Sequence, residues 1–243
     1  MPIIKLNAID STNSYLKELH SKNIVEDLTV VMTKHQMNGR GQMGSNWESQ
    51  KGKNLTCSVL KRFSNLQVSD SFYISMVTSL AIVRTLKSFN IPKLRVKWPN
   101  DILSENQKIC GILIENVIKN NKIEASIIGV GININQTKFK NLPQASSLKN
   151  IKGQLFDVEE ILDRLLKHLR YYFEVFNKGN HTIIKDKYEN RLFRINKPSS
   201  FKAKNGDIFP GYIKGVDPAG NLLILTEDEH VKAFELKEIQ LLY

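Results

Sequence analysis

Hydrophobic positions along this 243-residue chain switch repeatedly between strand-like runs and helical spacing. Residues 3–7 read as a strand. Asp10, Ser11, Thr12 and Asn13 then supply cap-type side chains ahead of Tyr15, Leu16 and Leu19, whose spacing suits a short helix. Residues 28–34 form a buried-strand run, a glycine-rich stretch follows, and 55–63 resumes as a strand of β-branched and apolar residues. Ile74, Val77, Ala81, Ile82 and Leu86 lie near helical spacing and predict a long helix, capped by Ser69 or Ser71, running to about Phe89 and ended by Pro92. Residues 94–98 predict a short strand.

Two further apolar runs, 109–118 and 123–134, flank Lys119-Asn120-Asn121-Lys122, and Asn-Asn between strand-like runs signals a hairpin. Residues 135–150 read as a loop. Asp157-Val158-Glu159-Glu160 has the form of a capping box for a helix through about Phe176, and a shorter helix is expected over 182–192. From Pro198 the pattern becomes short strands divided by turns at Asn205-Gly206, Asp217-Pro218-Ala219-Gly220 and Glu227-Asp228-Glu229, the composition of a small β-barrel. The expected division is therefore 1–194 and 195–243. Hairpins that adjoin one another, rather than alternating with helices, predict an α+β first part with mostly antiparallel pairing.

Composition narrows the classes. Hydrophobic residues make up 41% of the chain, enough for a core, and no apolar run approaches the roughly 20 residues of a membrane span. Met1-Pro2-Ile3-Ile4-Lys5 lacks the form of a cleaved leader, so a cytoplasmic location is expected. Cys57 and Cys110 show no metal-ligand spacing and no disulfide framework, and His20, His35, His168, His181 and His230 are scattered. The formal charge of +11 is uneven: from Arg191 onward 8 basic residues face 7 acidic, so nearly all the excess lies in the first 190. A basic body suits nucleotides, nucleic acid or an acidic protein. No dense Lys/Arg block with interleaved aromatics is present, which weakens the nucleic-acid reading.

The chemistry concentrates in three stretches: Gly39-Arg40-Gly41-Gln42-Met43-Gly44-Ser45-Asn46-Trp47, Lys97-Trp98-Pro99-Asn100-Asp101 and Lys108-Ile109-Cys110-Gly111. Glycines let a backbone approach phosphate oxygens. Arg40, Lys97 and Lys108 can offset negative charge, and Asn100 with Asp101 can help hold a nucleotide or its metal. Together they read as a site for an activated acid. Gly39, Gly41 and Gly44 also match the dinucleotide fingerprint, but the segment leads into another strand rather than a helix. About 20 residues on, where an acid should meet the ribose, stand Lys61 and Arg62.

Ser11-Thr12-Asn13, Gln36, the 39–47 segment, 97–101, 108–111 and 129–133 follow one another in an order and spacing that resemble the biotin protein ligases over nearly the whole chain. The resemblance implies an α+β catalytic domain of the class II aminoacyl-tRNA synthetase/biotin ligase type over 1–194 and an SH3-like β-barrel over 195–243. It implies ATP and biotin as substrates with Mg2+, biotinyl-5'-AMP as intermediate, and a lysine of a carboxylase's biotin carboxyl carrier domain as acceptor. Arg40 and Lys108 become the catalytic cations. Ser11, Thr12, Asn13, Gln36, Gly39, Arg40 and Gly111 are expected at biotin, and Gly41, Gln42, Trp47, Lys97, Asn100, Asp101, Lys108 and Asn133 at ATP or the adenylate. Asp101 is the expected magnesium ligand, directly or through water.

Each residue also has a plainer reading. Ser11 and Thr12 can be only a helix cap, Trp47 only core, Lys108 a strand-edge lysine and Asn133 a strand-end turn. Ser11 lies too close to Met1 for the DNA-binding domain of the repressor-type relatives, so a monofunctional enzyme without sequence-specific DNA binding is expected; a homodimer stays open. Gln42 departs from the pattern, because many family members carry arginine there. The rival readings are a lipoate or octanoate ligase or transferase on the same fold, and a non-catalytic basic nucleic-acid-binding module.

Overall fold

The computed structural model describes residues 1–140 and 142–243. Its first half interleaves β1 (Ile3–Leu6), α1 (Thr12–Lys22), β2 (Val30–Thr33), β3 (Leu55–Gln67), α2 (Phe72–Ser88), β4 (Leu94–Lys97), β5 (Asp101–Ser104), β6 (Gln107–Lys119) and β7 (Lys122–Ile132). These strands form one sheet in the order β1-β2-β3-β7-β6-β5-β4, in which only β1 and β2 pair in parallel. The mixed fold with mainly antiparallel pairing is the expected one. Its centre is the β6–β7 hairpin, where Asn120 and Asn121 take φ of 50° and 57°, the left-handed pair that a tight two-residue turn requires.

Strand alternation then divides the sheet's two faces. Cys57, Val59, Cys110, Ile112, Ile128, Val130 and Ile132 point into the main core, under α2 and the amphipathic α4 (Val158–Asn177). α2 is buried nearly all round because it lies between the sheet, α4 and α5 (His181–Glu189). On the other face a smaller cluster of Leu16, Val25, Val31, Leu60, Ala125 and Ile127 seats α1. Beyond α1 that face carries Gly111, Gly129 and Gly131 in place of large side chains, which leaves room for a cleft.

Several local expectations change. Ser71 does not cap α2 through its side chain; the helix is entered from a 3-10 turn over Val68–Asp70. Asp157 does cap α4, accepting from the amides of Glu159 and Glu160, but Glu160 pairs with Arg164 at 2.7 Å instead of closing the box. β5 was not expected, and neither was α3 (Leu148–Lys152), which overlaps the end of the predicted 135–150 loop; Asn141 of that stretch lies outside the described residues. α3 has Ser147 as N-cap and Gly153 at φ 71° as its stop. These end signals stand in the sequence, but five residues carry too little periodicity to reveal the helix.

The chain ends in β8 (Pro198–Ala203), β9 (Ile208–Val216), β10 (Leu222–Thr226), β11 (Val231–Phe234) and β12 (Ile239–Leu242), a sheet ordered β11-β10-β9-β8-β12. Among the described residues no ladder joins β11 to β12, so the strand pairing leaves the expected barrel open. Phe201, Ile213, Val216, Leu222 and Ile224 belong to the same buried cluster as the main core. Trp98 donates its indole N–H to Gly220 O at 2.8 Å, and Val216 N donates to Glu189 Oε1 at 2.9 Å. Among the described residues no helix is long and apolar enough to cross a membrane.

Candidate active site

A cleft opens on the α1 face of the large sheet. The N-terminus of α1 delivers Ser11, Thr12 and Asn13 to one end. Ser11 caps the helix, accepting from Ser14 N, and still lines the cleft, so its two readings coexist. Gln36, in the segment after β2, accepts the Thr12 amide on Oε1 at 2.9 Å, which leaves its NH2 group as the donor of that side chain.

The 39–47 segment folds back on itself. Gly41 N donates to Ser45 O (2.6 Å) and Trp47 N to Gly39 O (2.9 Å). Gly39 sits where a β-carbon would lie 2.1 Å from Trp47 O, so only glycine permits this closure. Trp47 reaches across to the sheet: β-carbons at Gly111 and Gly131 would lie 2.8 Å and 2.4 Å from its indole. Its indole therefore rests on the glycine strip that floors the cleft, and its buried N–H has no hydrogen-bond partner among the described residues. Gly111 and Gly131 serve as a platform for a planar group.

At the far end Lys108 Nζ lies 2.7 Å from Asp101 Oδ1 and 5.7 Å from the Trp47 ring centroid. Asn100 ties its loop to β6, its amide donating to Ile112 O at 2.8 Å. Arg40 Nη2 pairs with Glu115 Oε2 at 2.8 Å. Ser11, Thr12, Asn13, Gln36, Arg40, Gly41, Gln42, Trp47, Asn100, Asp101, Lys108 and Gly111 all line this one cleft.

Three expected residues do not. Gly39 packs behind Trp47. Lys97 places its ammonium 4.7 Å from the Tyr243 ring centre, in an adjoining hollow shared with Gln42 and the C-terminal sheet. Asn133 is buried and donates to Ser146 O at 3.0 Å, holding the segment whose Gln144 and Ser146 bond the Lys108 backbone. Its work in this structure is to brace the lysine's strand.

Cys57 stands on a strand that borders the cleft but points into the main core, where burial pushes its thiol up to about 12, and burial raises that of Cys110 as well. Neither is a thiolate nucleophile near neutral pH. Among the described residues no group of three or more His, Cys, Asp or Glu could hold a metal. Asp101 offers one carboxylate beside Lys108, a donor set that suits Mg2+ only when phosphate oxygens and water supply the remaining ligands.

Sequence reasoning missed Ser58 and Glu115. Ser58 interrupts the apolar stretch 57–60 and Glu115 ends the apolar stretch 109–114, and that interruption was the available signal.

A family model described as the biotin/lipoate A/B protein ligase family matches residues 6–133. The chain belongs to that family. The bifunctional ligase/repressor BirA of Escherichia coli (strain K12) is 29% identical over 238 residues, covering 97% of this chain and 73% of the relative. The biotin--[acetyl-CoA-carboxylase] ligase of Mycobacterium tuberculosis is 27% identical over 217 residues, covering 88% and 79%. The solved biotin protein ligase from Aquifex aeolicus in complex with biotin and ATP superposes with a TM-score of 0.81 at 28% identity, covering 99% of this chain and 98% of that one.

Proposed function

We propose that this chain is an ATP-dependent biotin protein ligase. The observation that carries the reading is one cleft holding a donor-rich helix end, a glycine platform and two separate cations, Arg40 and Lys108. Two anions must meet for an acid to be activated by a nucleotide, and a cleft supplying preorganised positive charge lowers that barrier.

In the first step the biotin carboxylate attacks the α-phosphorus of ATP, forming biotinyl-5'-AMP and releasing pyrophosphate. Ser11, Thr12 and the Gln36 amide provide hydrogen-bonding groups for the ureido edge of biotin. An analogue lacking that edge strands them, so recognition is selective. Arg40 and Lys108 meet the carboxylate and phosphate oxygens as charge builds between them. Asp101 holds Lys108 in place, and Gln42 and Asn100 border the nucleotide. Asp101 would hold Mg2+, directly or through water, and the ion would supply further charge neutralisation of the triphosphate.

In the second step a lysine of a carboxylase's biotin carboxyl carrier domain attacks the anhydride carbonyl, and AMP leaves. Holding the amine against an activated carbonyl supplies much of that rate. We assign residues 1–194 to catalysis and 195–243 to an SH3-like module, and we take the basic body as the docking surface for the acidic carrier.

A transferase of lipoyl or octanoyl groups that carries its acyl chain on a cysteine is disfavoured, because burial keeps Cys57 protonated. Incubation with ATP and either biotin, lipoate or octanoate decides the substrate. Pyrophosphate release and a biotinyl-AMP mass with biotin alone are the expected outcome; activity confined to the other acids overturns the reading.

A further inference from the structure

Arg40 sits between Gly39 and Gly41 on a loop, with its side chain about half exposed. A long side chain on such a backbone is poorly preorganised by itself. The one ion pair found for it among the described residues is with Glu115 Oε2, at 2.8 Å. Glu115 follows Gly111 and Leu113 along β6 at alternate positions, which places it on the cleft face.

The same Glu115 oxygen accepts from Asn13 Nδ2 at 2.8 Å, and that amide also donates to Leu113 O at 3.2 Å. Both acceptors face Nδ2, so Asn13 Oδ1 is turned toward Ser58 Oγ, 2.6 Å away. Ser58 Oγ also lies 2.7 Å from Thr12 Oγ1. An amide oxygen can only accept, so Ser58 gives its one proton to Asn13, and the Thr12 hydroxyl lies between Ser58 Oγ and Gln36 Oε1, the latter at 3.2 Å. Each polar atom of the buried Asn13 side chain thereby has a protein partner.

We infer that Glu115 is a positioning residue: braced from within by Asn13 and Ser58, it fixes the Arg40 guanidinium over the cleft, beside the N-terminus of α1. The inference rests on the ligase reading above. One N–H of the guanidinium is committed to Glu115, which sets the plane of the fork and directs its other donors. The chain Thr12–Ser58–Asn13–Glu115–Arg40 thus links the helix end that recognises the ureido edge to the cation that meets the carboxylate.

The test is steady-state pyrophosphate release by the full chain with biotin and ATP varied separately, for Glu115→Ala, Glu115→Gln, Ser58→Ala, Arg40→Ala and the Arg40→Ala/Glu115→Ala pair. Loss of a hydrogen bond to a charged group predicts that Glu115→Ala raises the KM for biotin by about tenfold. The KM for ATP should stay unchanged, Glu115→Gln should recover most of the loss, and Ser58→Ala should show a weaker form of it. In the Arg40→Ala background the Glu115 change should add nothing. A second readout needs no turnover: phenylglyoxal labelling of Arg40, followed by mass spectrometry, should quicken when Glu115 is removed. Additive losses in the double variant, equal effects on both substrates, or unchanged labelling overturn the positioning role. Absence of biotin-dependent pyrophosphate release by the unaltered chain overturns the ligase reading itself.

Discussion

Trp47 and Gly131 meet so closely that a β-carbon on the glycine would lie 2.4 Å from the indole. Trp47 belongs to a loop and Gly131 to a central strand, so an added methyl group moves the tryptophan. Gly131→Ala should shift Trp47 emission toward the solvent-exposed value, read in a Trp98→Phe background. Misplacing groups at the platform by about 1 Å should cut adenylate formation by about a hundredfold. Unchanged emission and rate would show that the indole does not depend on the glycine strip.

Lys108 faces Asp101 at 2.7 Å and braces on the 144–146 segment through its backbone. Lys108→Ala removes the charge and keeps the strand. Adenylate formation should fall by about 3 to 4 kcal/mol of transition-state stabilisation while the thermal transition moves little. Pyrophosphate release near the unaltered rate would refute the assignment.

Burial raises the Cys57 thiol from its ordinary 9.0 to about 12. The unfolded chain releases this proton above about pH 9, and the folded chain holds it until about pH 12. The folded state therefore binds more protons in that window, and stability is complete below it and falls as pH rises through it. Urea unfolding between pH 8 and about 11 should show that decline, and Cys57→Val should lessen it, the raised Cys110 thiol contributing to the remainder. Iodoacetamide at neutral pH should label neither Cys57 nor Cys110 until the chain unfolds.

Gln42 borders both the cleft and the adjoining hollow beside Lys97, so a cation there would reach the nucleotide end. Glutamine keeps hydrogen-bonding capacity without the charge. Gln42→Arg should slow biotinyl-AMP dissociation, measured by chasing preformed adenylate. An unchanged off-rate would mean that Lys51, Lys53 or the loop's closure already retains it.

The surplus of basic residues in the first 190 positions should act on the partner rather than on the nucleotide. Transfer to the carrier domain should weaken as salt rises past about 0.15 M, with adenylate synthesis changing less. Equal salt sensitivity of both steps would remove the docking role.

What could be read in advance was local. The Asn120-Asn121 turn, the Asp157 cap and the Ser11 cap each depend on backbone geometry within a few residues, and each appears where its side chains stand. β5 escaped because it holds just two apolar residues, Ile102 and Leu103, and α3 because five residues carry almost no helical period of their own. The bond that Asn133 makes had no local signal: its amide donates to a carbonyl thirteen residues away, a partner that no spacing rule names. Lys97 likewise turns to Tyr243, at the far end of the chain.

The linear order of residues determined that glycines, cations and amides for acid activation were present, and which short segments would be strand, turn or helix. Only the tertiary structure decided which of them meet. Strand register brings Gly111 and Gly131 side by side beneath Trp47, and it turns Glu115 toward Arg40, 75 positions earlier in the chain. Alternation along a strand assigns each side chain to a face, and a slip of one residue would reverse every assignment. That register is set by the whole buried core, so the site's geometry is a property of the packing.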